Sequence, residues 1–213
     1  MKAWDYLEAA RVPHTLRPQE FGLWQIERLF HDSAVVRALV GWPDQTLLCR
    51  WTAATIKRGR GEIVMEDSFA ELSRHLPIWF AARGRVLVTG LGLGCVVRGL
   101  RANPDVERVD VVEIDADIIR VIWPEFRDDD RLHIHHGDAL KIEWSPDSRW
   151  DFAWHDLWTE GKRHLQVLHS ELIQKHWHQC PRQGAWGWPR EMKRRMFRKL
   201  SPQTRHRFLG MGR

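Results

Sequence analysis

A short apolar strand that runs straight into three alternating glycines constrains this chain more than any other feature. The stretch reads Arg85-Val-Leu-Val-Thr-Gly-Leu-Gly-Leu-Gly-Cys-Val-Val-Arg-Gly99, and a second apolar strand, Val109-Asp-Val-Val-Glu-Ile-Asp115, follows and delivers the carboxylate of Glu113. Turning a buried strand into a helix this tightly requires positive φ, and a backbone without Cβ lets a ligand lie against it. Gly90, Gly92 and Gly94 serve both needs. An acid about twenty residues further on is placed to accept hydrogen bonds from ribose hydroxyls. The pattern predicts a nucleoside-binding βαβ unit. Pyrophosphate binding asks for G-x-G-x-x-G, with glycine at position 95, where Cys95 stands, so the loop does not suit a dinucleotide.

Two later segments fit the same sheet. In Arg131-Leu-His-Ile-His-His-Gly-Asp-Ala-Leu140, Leu132 and Ile134 alternate with His133 and His135, which reads as a strand entering a loop at Gly137-Asp138. Asp138 there either reads a ligand or caps a short helix, and both roles are compatible. In Ser148-Arg-Trp-Asp-Phe-Ala-Trp-His-Asp-Leu-Trp158, a bulky apolar strand brings His155 and Asp156 to its carboxyl end, where ligands of open α/β sheets bind. Asp156 can act as a general base, and His155 either shares that work or sits neutral on a backbone carbonyl.

The glycine pattern resembles motif I of the class I S-adenosylmethionine (SAM)-dependent methyltransferases, with Glu113 where that family has its ribose-binding acid. Many members carry an acid two residues before the first glycine, and this chain has Val88. In that family the acid matching Asp138 accepts from the adenine amino group, and Gly-Asp-Ala is a common form of that loop. The order and spacing of Val86 to Gly94, Val112 to Asp115, Gly137 to Ala139 and Trp150 to Asp156 resemble the spermidine synthase-like branch in particular. Glu62 to Phe69, before Leu76-Pro77, looks like that branch's lead-in strand and helix. The resemblance implies SAM held by Gly90, Leu91, Gly92, Gly94, Glu113, Ile114, Asp138 and Ala139, with Asp156 and His155 at the reacting end.

The chain also departs from true aminopropyltransferases. Their glycine loop has an Asp where Leu93 stands, and their catalytic strand ends Asp-Ser-Ser-Asp where this one has Asp156-Leu-Trp-Thr159. A dicationic polyamine would lose most of its charge partners. Asp156-Leu-Trp158 in an aromatic frame also looks like phage and bacterial relatives known only by resemblance as SAM-dependent methyltransferases.

At 213 residues the chain can bury one sizeable core, and its 43% hydrophobic and 29% charged content is that of a soluble globular protein. No apolar run approaches the roughly twenty residues of a membrane span. The first ten residues carry acids and no continuous apolar core, unlike a secretory signal, so a cytoplasmic location is expected. Cys49, Cys95 and Cys180 form no C-x-x-C pair, and His176-Trp-His-Gln-Cys180 is too small for a closed zinc site. Cys95 is expected in the helix under the glycine loop.

The expected architecture is α/β: a Rossmann-like, mostly parallel sheet with helices on both faces over 81–213, C-terminally truncated to about five strands. A cap of helix and β-hairpin over 1–80 precedes it. In the cap, Phe21 to Val40 has helix-compatible spacing at Leu23, Ile26, Leu29 and Phe30, although Val35, Val36 and Val40 also suit a strand. Gln45 to Trp51 and Glu62 to Met65 read as strands joined by the basic Lys57-Arg-Gly-Arg-Gly61. Lys162 to Gln179 reads as a helix, Gly184 to Trp188 as a last strand or a loop, and Arg190 to Leu200 as a basic helix.

That basic segment contributes to a net charge of +5, which fits either a nucleic-acid partner or a solvated helix face. The 13 tryptophans fit base stacking or core packing. The Asn/Asp-Pro-Pro-Tyr and Pro-Cys signatures of DNA methylation are absent. The reading is a SAM-dependent methyltransferase with an unknown acceptor, nucleic acid or small molecule; the alternatives are an aminopropyltransferase-like enzyme or a non-catalytic SAM- or nucleic-acid-binding protein. Whether it forms a homo-oligomer stays open.

Overall fold

The structure, a computed structural model, describes residues 1–30, 45–51, 62–157 and 165–187. Helix α1 (Ala3–Ala10) is followed by the strands β1 (Gln19–Phe21), β2 (Trp24–Phe30), β3 (Gln45–Trp51) and β4 (Glu62–Glu66). These pair antiparallel in sequence order as a four-stranded sheet. Helix α2 (Phe69–Ala81) begins where Ser68 Oγ accepts from Glu71 N at 3.2 Å, the side-chain cap that a helix start favours.

Strand β5 (Gly84–Thr89) is the centre of the second sheet. Helix α3 (Cys95–Arg101), β6 (Val106–Glu113), α4 (Ala116–Ile122), β7 (Leu132–His136), β8 (Phe152–His155), α5 (Leu165–Lys175) and β9 (Gln183–Ala185) follow. All pairings are parallel, in the order β7-β6-β5-β8-β9. The five parallel strands and their flanking helices form the Rossmann-like sheet expected. The chain builds outward from β5 through β6 to β7 and then crosses back to place β8 on the other side of β5. The strand order therefore reverses at β5, which opens a crevice at the carboxyl ends of β5 and β8.

Alternation along the strands splits the core in two. Val86, Val88, Val109, Val111 and Trp154 pack with Leu7, Leu72, Trp79, Leu100 and Ile118, from α1, α2, α3 and α4. Leu87, Val112 and Ala153 face the other way, against Trp150 and Leu172 of α5. A buried polar cluster shares this second face. Asp110 accepts from Trp150 Nε1 at 2.9 Å and Arg108 Nη2 at 2.7 Å, and His135 Nε2 lies 3.0 Å away. Burial opposes the Asp110 charge, but these three partners outweigh it and hold the carboxyl far below its usual range. The polar residue inside β6 and His135 of β7 thus have a structural cause.

The helix-compatible reading of Phe21 to Val40 is corrected over the described part, 21–30, which is strand. Gly22, at φ 53°, and Leu23 turn Phe21 back toward Trp24, a two-residue hairpin that breaks any helical period. Trp24 and Ile26 are buried while Leu23 and Leu29, counted on the helix face, are 55% and 36% exposed. Period two therefore won over period three to four. Val35, Val36, Val40 and the basic Lys57–Gly61 turn lie outside the described residues. So do Trp158, Thr159, the first three residues of the Lys162 helix, Trp188 and the basic Arg190–Leu200 segment. Helices α1 and α2 fall in or across the end of the 1–80 span expected as a cap, and they pack against each other and against α3, in the same core as β5 and β6.

Candidate functional site

A cavity of about 590 Å³ lies at the crevice, with Gly90, Leu91 and Gly92 as its floor, Glu113 and Ile114 on one side and Asp156 on the other. Gly90 has φ 95°, and a Cβ there would collide with the carbonyl oxygen of Asp156. The close approach is fixed by Gly90 N donating to Val112 O and Asp156 N donating to Thr89 O, both at 2.8 Å. The loop thus runs directly between the ends of β6 and β8. The next glycine, Gly92 at φ 55°, would meet the Met65 sulfur if it carried a Cβ, so the antiparallel sheet comes down onto the loop at this point.

Glu113 is nearly buried and organises the floor. Its Oε2 accepts from Leu91 N at 2.7 Å and its Oε1 from Asp115 N at 2.9 Å. Burial raises its pKa, although the two amides pull it down. Each carboxylate oxygen keeps lone-pair capacity for a further donor, so a ribose diol fits here. Asp115 caps α4 through Oδ1, which accepts from Asp117 N and Ile118 N at 2.8 and 3.1 Å, and its Oδ2 accepts from Trp24 Nε1 at 2.7 Å. Ile114 is 62% exposed at the cavity wall, an apolar surface for a planar ring.

The other expected site residues are placed less directly. Gly94, at φ 78°, is the N-cap of α3, and its N–H donates to Leu91 O at 2.9 Å; it shapes the loop without lining the cavity. Asp138 follows β7 and also does not line the cavity. Its carboxylate accepts from Leu140 N at 2.9 Å and pairs with Lys141 at 3.1 Å. Burial opposes its charge, yet these partners and Lys175 leave its pKa lowered. Asp138 thus closes a turn over 139–141, with Lys141 N and Ile142 N donating to its carbonyl, and the short helix it was expected to cap does not form. Ala139 is buried in the second core.

His155 requires a correction. It is fully buried on the second face, with Nδ1 3.0 Å from Thr89 Oγ1 and Nε2 2.9 Å from Gln183 Oε1. Burial first, then nearby His176 and His169, push its pKa down to about 3 despite the Gln183 hydrogen bond. Both nitrogens are occupied and neither faces the cavity, so it holds β5, β8 and β9 together and has no access to a reacting proton. The cause is the strand's period of two, which sends adjacent residues to opposite faces. Asp156, just beyond the strand, lines the cavity.

Several cavity residues went unread in the sequence because they come from distant segments. Trp24 arrives on β2, Met65 on β4, and Glu71, Arg74 and His75 on α2. Glu71 pairs with Arg74 at 2.7 Å, accepts from Trp186 Nε1 at 2.7 Å, and lies 3.7 Å from His75 Nε2. The Glu71, Arg74, His75 spacing of i, i+3, i+4 on one helix face was the available signal. The lining is acidic overall: Glu66, Glu71, Glu113, Asp115 and Asp156 stand against Arg74. Cys95 also lines it, but burial, helped by nearby acids, pushes its pKa up to about 12, so it stays a thiol and is no nucleophile.

No family model matches the chain. Over 122 residues, 52% of this chain, it is 33% identical to a polyamine aminopropyltransferase from Streptococcus uberis, covering 42% of that protein. Over 61 residues, 29% of this chain, it is 44% identical to ribosomal RNA small subunit methyltransferase A from Syntrophotalea carbinolica, covering 22% of that protein. A solved structure of human methyltransferase-like protein 13 in complex with SAH aligns with 53% of this chain and 60% of that one, at 19% identity and a TM-score of 0.42. The chain spans less than half the length of the two sequence relatives. Their names agree with the resemblance read from the sequence to the SAM-binding superfamily and its spermidine synthase-like branch.

Proposed function

We propose that this chain is a SAM-dependent methyltransferase, with the cofactor across the carboxyl ends of β5 and β6 and the acceptor beside Asp156. The observation that carries the reading is Glu113, fixed by two loop amides at the cavity wall beside a floor of glycine backbone. That arrangement suits an adenosyl ribose, with Ile114 against the base and Asp138 one strand further out. When bound, SAM supplies a methyl carbon already activated by its sulfonium. The protein's tasks are then to align an acceptor nucleophile and to take its proton. Asp156 Oδ is the proton acceptor in this reading, and His155 takes no part. Residues 1–80 act as the cap through Trp24 and Met65, which cover the loop, and 81–213 as the cofactor domain.

The acidic lining favours a small neutral or cationic acceptor over a phosphate backbone, which would meet five carboxylates against the guanidinium of Arg74. Nucleic acid enters this proposal only through the basic Arg190–Leu200 segment. Three free, buried cysteines suit a reducing cytoplasm, and among the described residues no helix is long and apolar enough to cross a membrane.

Calorimetric titration with SAM, S-adenosylhomocysteine (SAH), decarboxylated SAM and NAD tests the reading. SAM and SAH should bind the wild type and fail to bind Glu113→Ala, while Asp156→Asn should bind both and lose turnover. Binding of NAD alone, or unchanged SAM affinity in Glu113→Ala, would sink it. The second reading, aminopropyl transfer, is favoured by the Streptococcus relative and by the same acidic lining, and it requires decarboxylated SAM to bind better than SAM.

A further inference from the structure

The charge pattern of the cavity carries a sharper assignment than the reaction type. Among its described lining residues Glu66, Glu71, Glu113, Asp115 and Asp156 are carboxylates, Arg74 is a guanidinium and His75 an imidazole, and the sulfonium of SAM suits such a lining. The α-carboxylate of its methionine portion does not. Placed against Glu66, Glu71, Glu113, Asp115 or Asp156 it would meet repulsion, and Arg74 is the cationic partner the lining offers. Its guanidinium is presented, not spent: the side chain is 58% exposed and Nη1 alone pairs with Glu71 Oε2 at 2.7 Å, leaving other donors of the planar fork to a ligand.

Glu71 is held independently of Arg74. Trp186 Nε1 donates to its other oxygen, Oε1, at 2.7 Å, so Arg74 is anchored to a fixed carboxylate on the cavity wall. The pair also matches both ends of an α-amino acid, since Glu71 and Glu66 suit an ammonium where Arg74 suits a carboxylate. We propose that Arg74 is the carboxylate-reading residue of the cavity, and that it selects an adenosyl ligand bearing an intact α-amino acid over its decarboxylated counterpart. This rests on the adenosyl reading above. It turns the choice between methyl and aminopropyl transfer into a property of one side chain, because the two donors differ by that carboxylate.

The test compares three ligands on the full chain by calorimetry: SAH, 5′-methylthioadenosine, which keeps the adenosyl thioether and lacks the amino acid, and decarboxylated SAM. Wild type should prefer SAH to methylthioadenosine. Arg74→Ala should lose SAH affinity on the order of tenfold, as expected for a charge-assisted hydrogen bond, with methylthioadenosine unchanged and decarboxylated SAM unchanged or tighter. Arg74→Lys should recover part of the SAH affinity. Unchanged SAH affinity in Arg74→Ala, or equal weakening of all three ligands, overturns the assignment and leaves the adenosyl site standing. Failure of all three to bind the wild type overturns the adenosyl reading, and the assignment with it. Matching far-ultraviolet spectra and urea midpoints of variant and wild type show that a lost affinity is not lost folding, since an exposed i, i+3 pair contributes little to stability.

Discussion

Acidification should unfold this protein well above the carboxylate range, because three imidazoles are buried between the sheet and α5. Burial pushes His155 down to about 3, and burial pushes His169 and His176 down to about 4. In the unfolded chain all three would titrate near 6.5. The unfolded state therefore binds more protons throughout the window from about 6.5 down to about 4, so stability is present above 6.5 and is lost as pH falls. At pH 5 each unfolded imidazole is almost fully charged while its folded counterpart is almost neutral, which costs about 2 kcal/mol per histidine at about 1.4 kcal/mol per unit. The three together remove about 6 kcal/mol between pH 7.5 and 5, comparable with the whole stability of an ordinary domain, about 5–15 kcal/mol.

Other groups modify this only slightly above pH 5. The Asp110 carboxyl, held low, stays charged in both states there. Glu113, raised by burial, works in the opposite direction, because its folded form takes a proton earlier than its unfolded form. Urea titrations followed by tryptophan fluorescence at pH 7.5, 6.5, 5.5 and 5.0 give the slope directly. A double variant His169→Leu with His176→Leu should shrink the loss to about 2 kcal/mol, because only His155 remains. A stability that stays level from pH 7.5 to 5, or a slope of the double variant equal to that of the wild type, would refute the reasoning.

Two substitutions probe the frame of the site. Gly90→Ala forces a Cβ onto the Asp156 carbonyl at a positive φ and should cost about 3 kcal/mol or more in urea unfolding, with loss of adenosyl binding; a stable variant with intact binding would remove the loop from the site. Asp110→Asn takes the charge from the cluster of Arg108, His135 and Trp150 and should cost about 2 kcal/mol or more in thermal or urea melts, with ligand affinity unchanged. Weakened binding at equal stability would place Asp110 in the cavity instead.

The parallel sheet was legible because its signals are local: Gly90, Gly92 and Gly94 follow β5 directly, and Glu113 ends the next strand in the chain. Gly22-Leu23 was equally local, and misread because the apolar residues after it fit two periods. The cavity's outer wall was not legible. Trp24 and Met65 reach the loop only through strand pairing across 31–44 and 52–61, and nothing in either segment marks its side chain as turned toward Gly92 or Asp115. The helix face of Glu71, Arg74 and His75 could have been read, but the anchor of Glu71 is Trp186, 115 residues away in sequence.

The pair His155-Asp156 shows where motif reading needs strand geometry. Both residues stand at the carboxyl end of β8, and sequence alone permits either to work on a substrate. A strand can send only one of two neighbours to a given face. The partners decide which: Thr89 and Gln183 occupy both nitrogens of His155 beneath the sheet, while the backbone of Asp156 is pinned to Thr89 O and abuts Gly90, which leaves its residue at the cavity. The imidazole thereby contributes a pH-dependent brace between β5, β8 and β9, and Asp156 lines the cavity. A variant such as His155→Gln, which keeps a donor and an acceptor, should therefore shrink the acid-dependent loss from about 6 to about 4 kcal/mol, because His169 and His176 remain, while sparing SAM affinity; Asp156→Asn should keep SAM affinity and lose turnover. If His155→Gln abolished turnover with folding and SAM binding intact, the division of labour between the two faces of this sheet would be wrong.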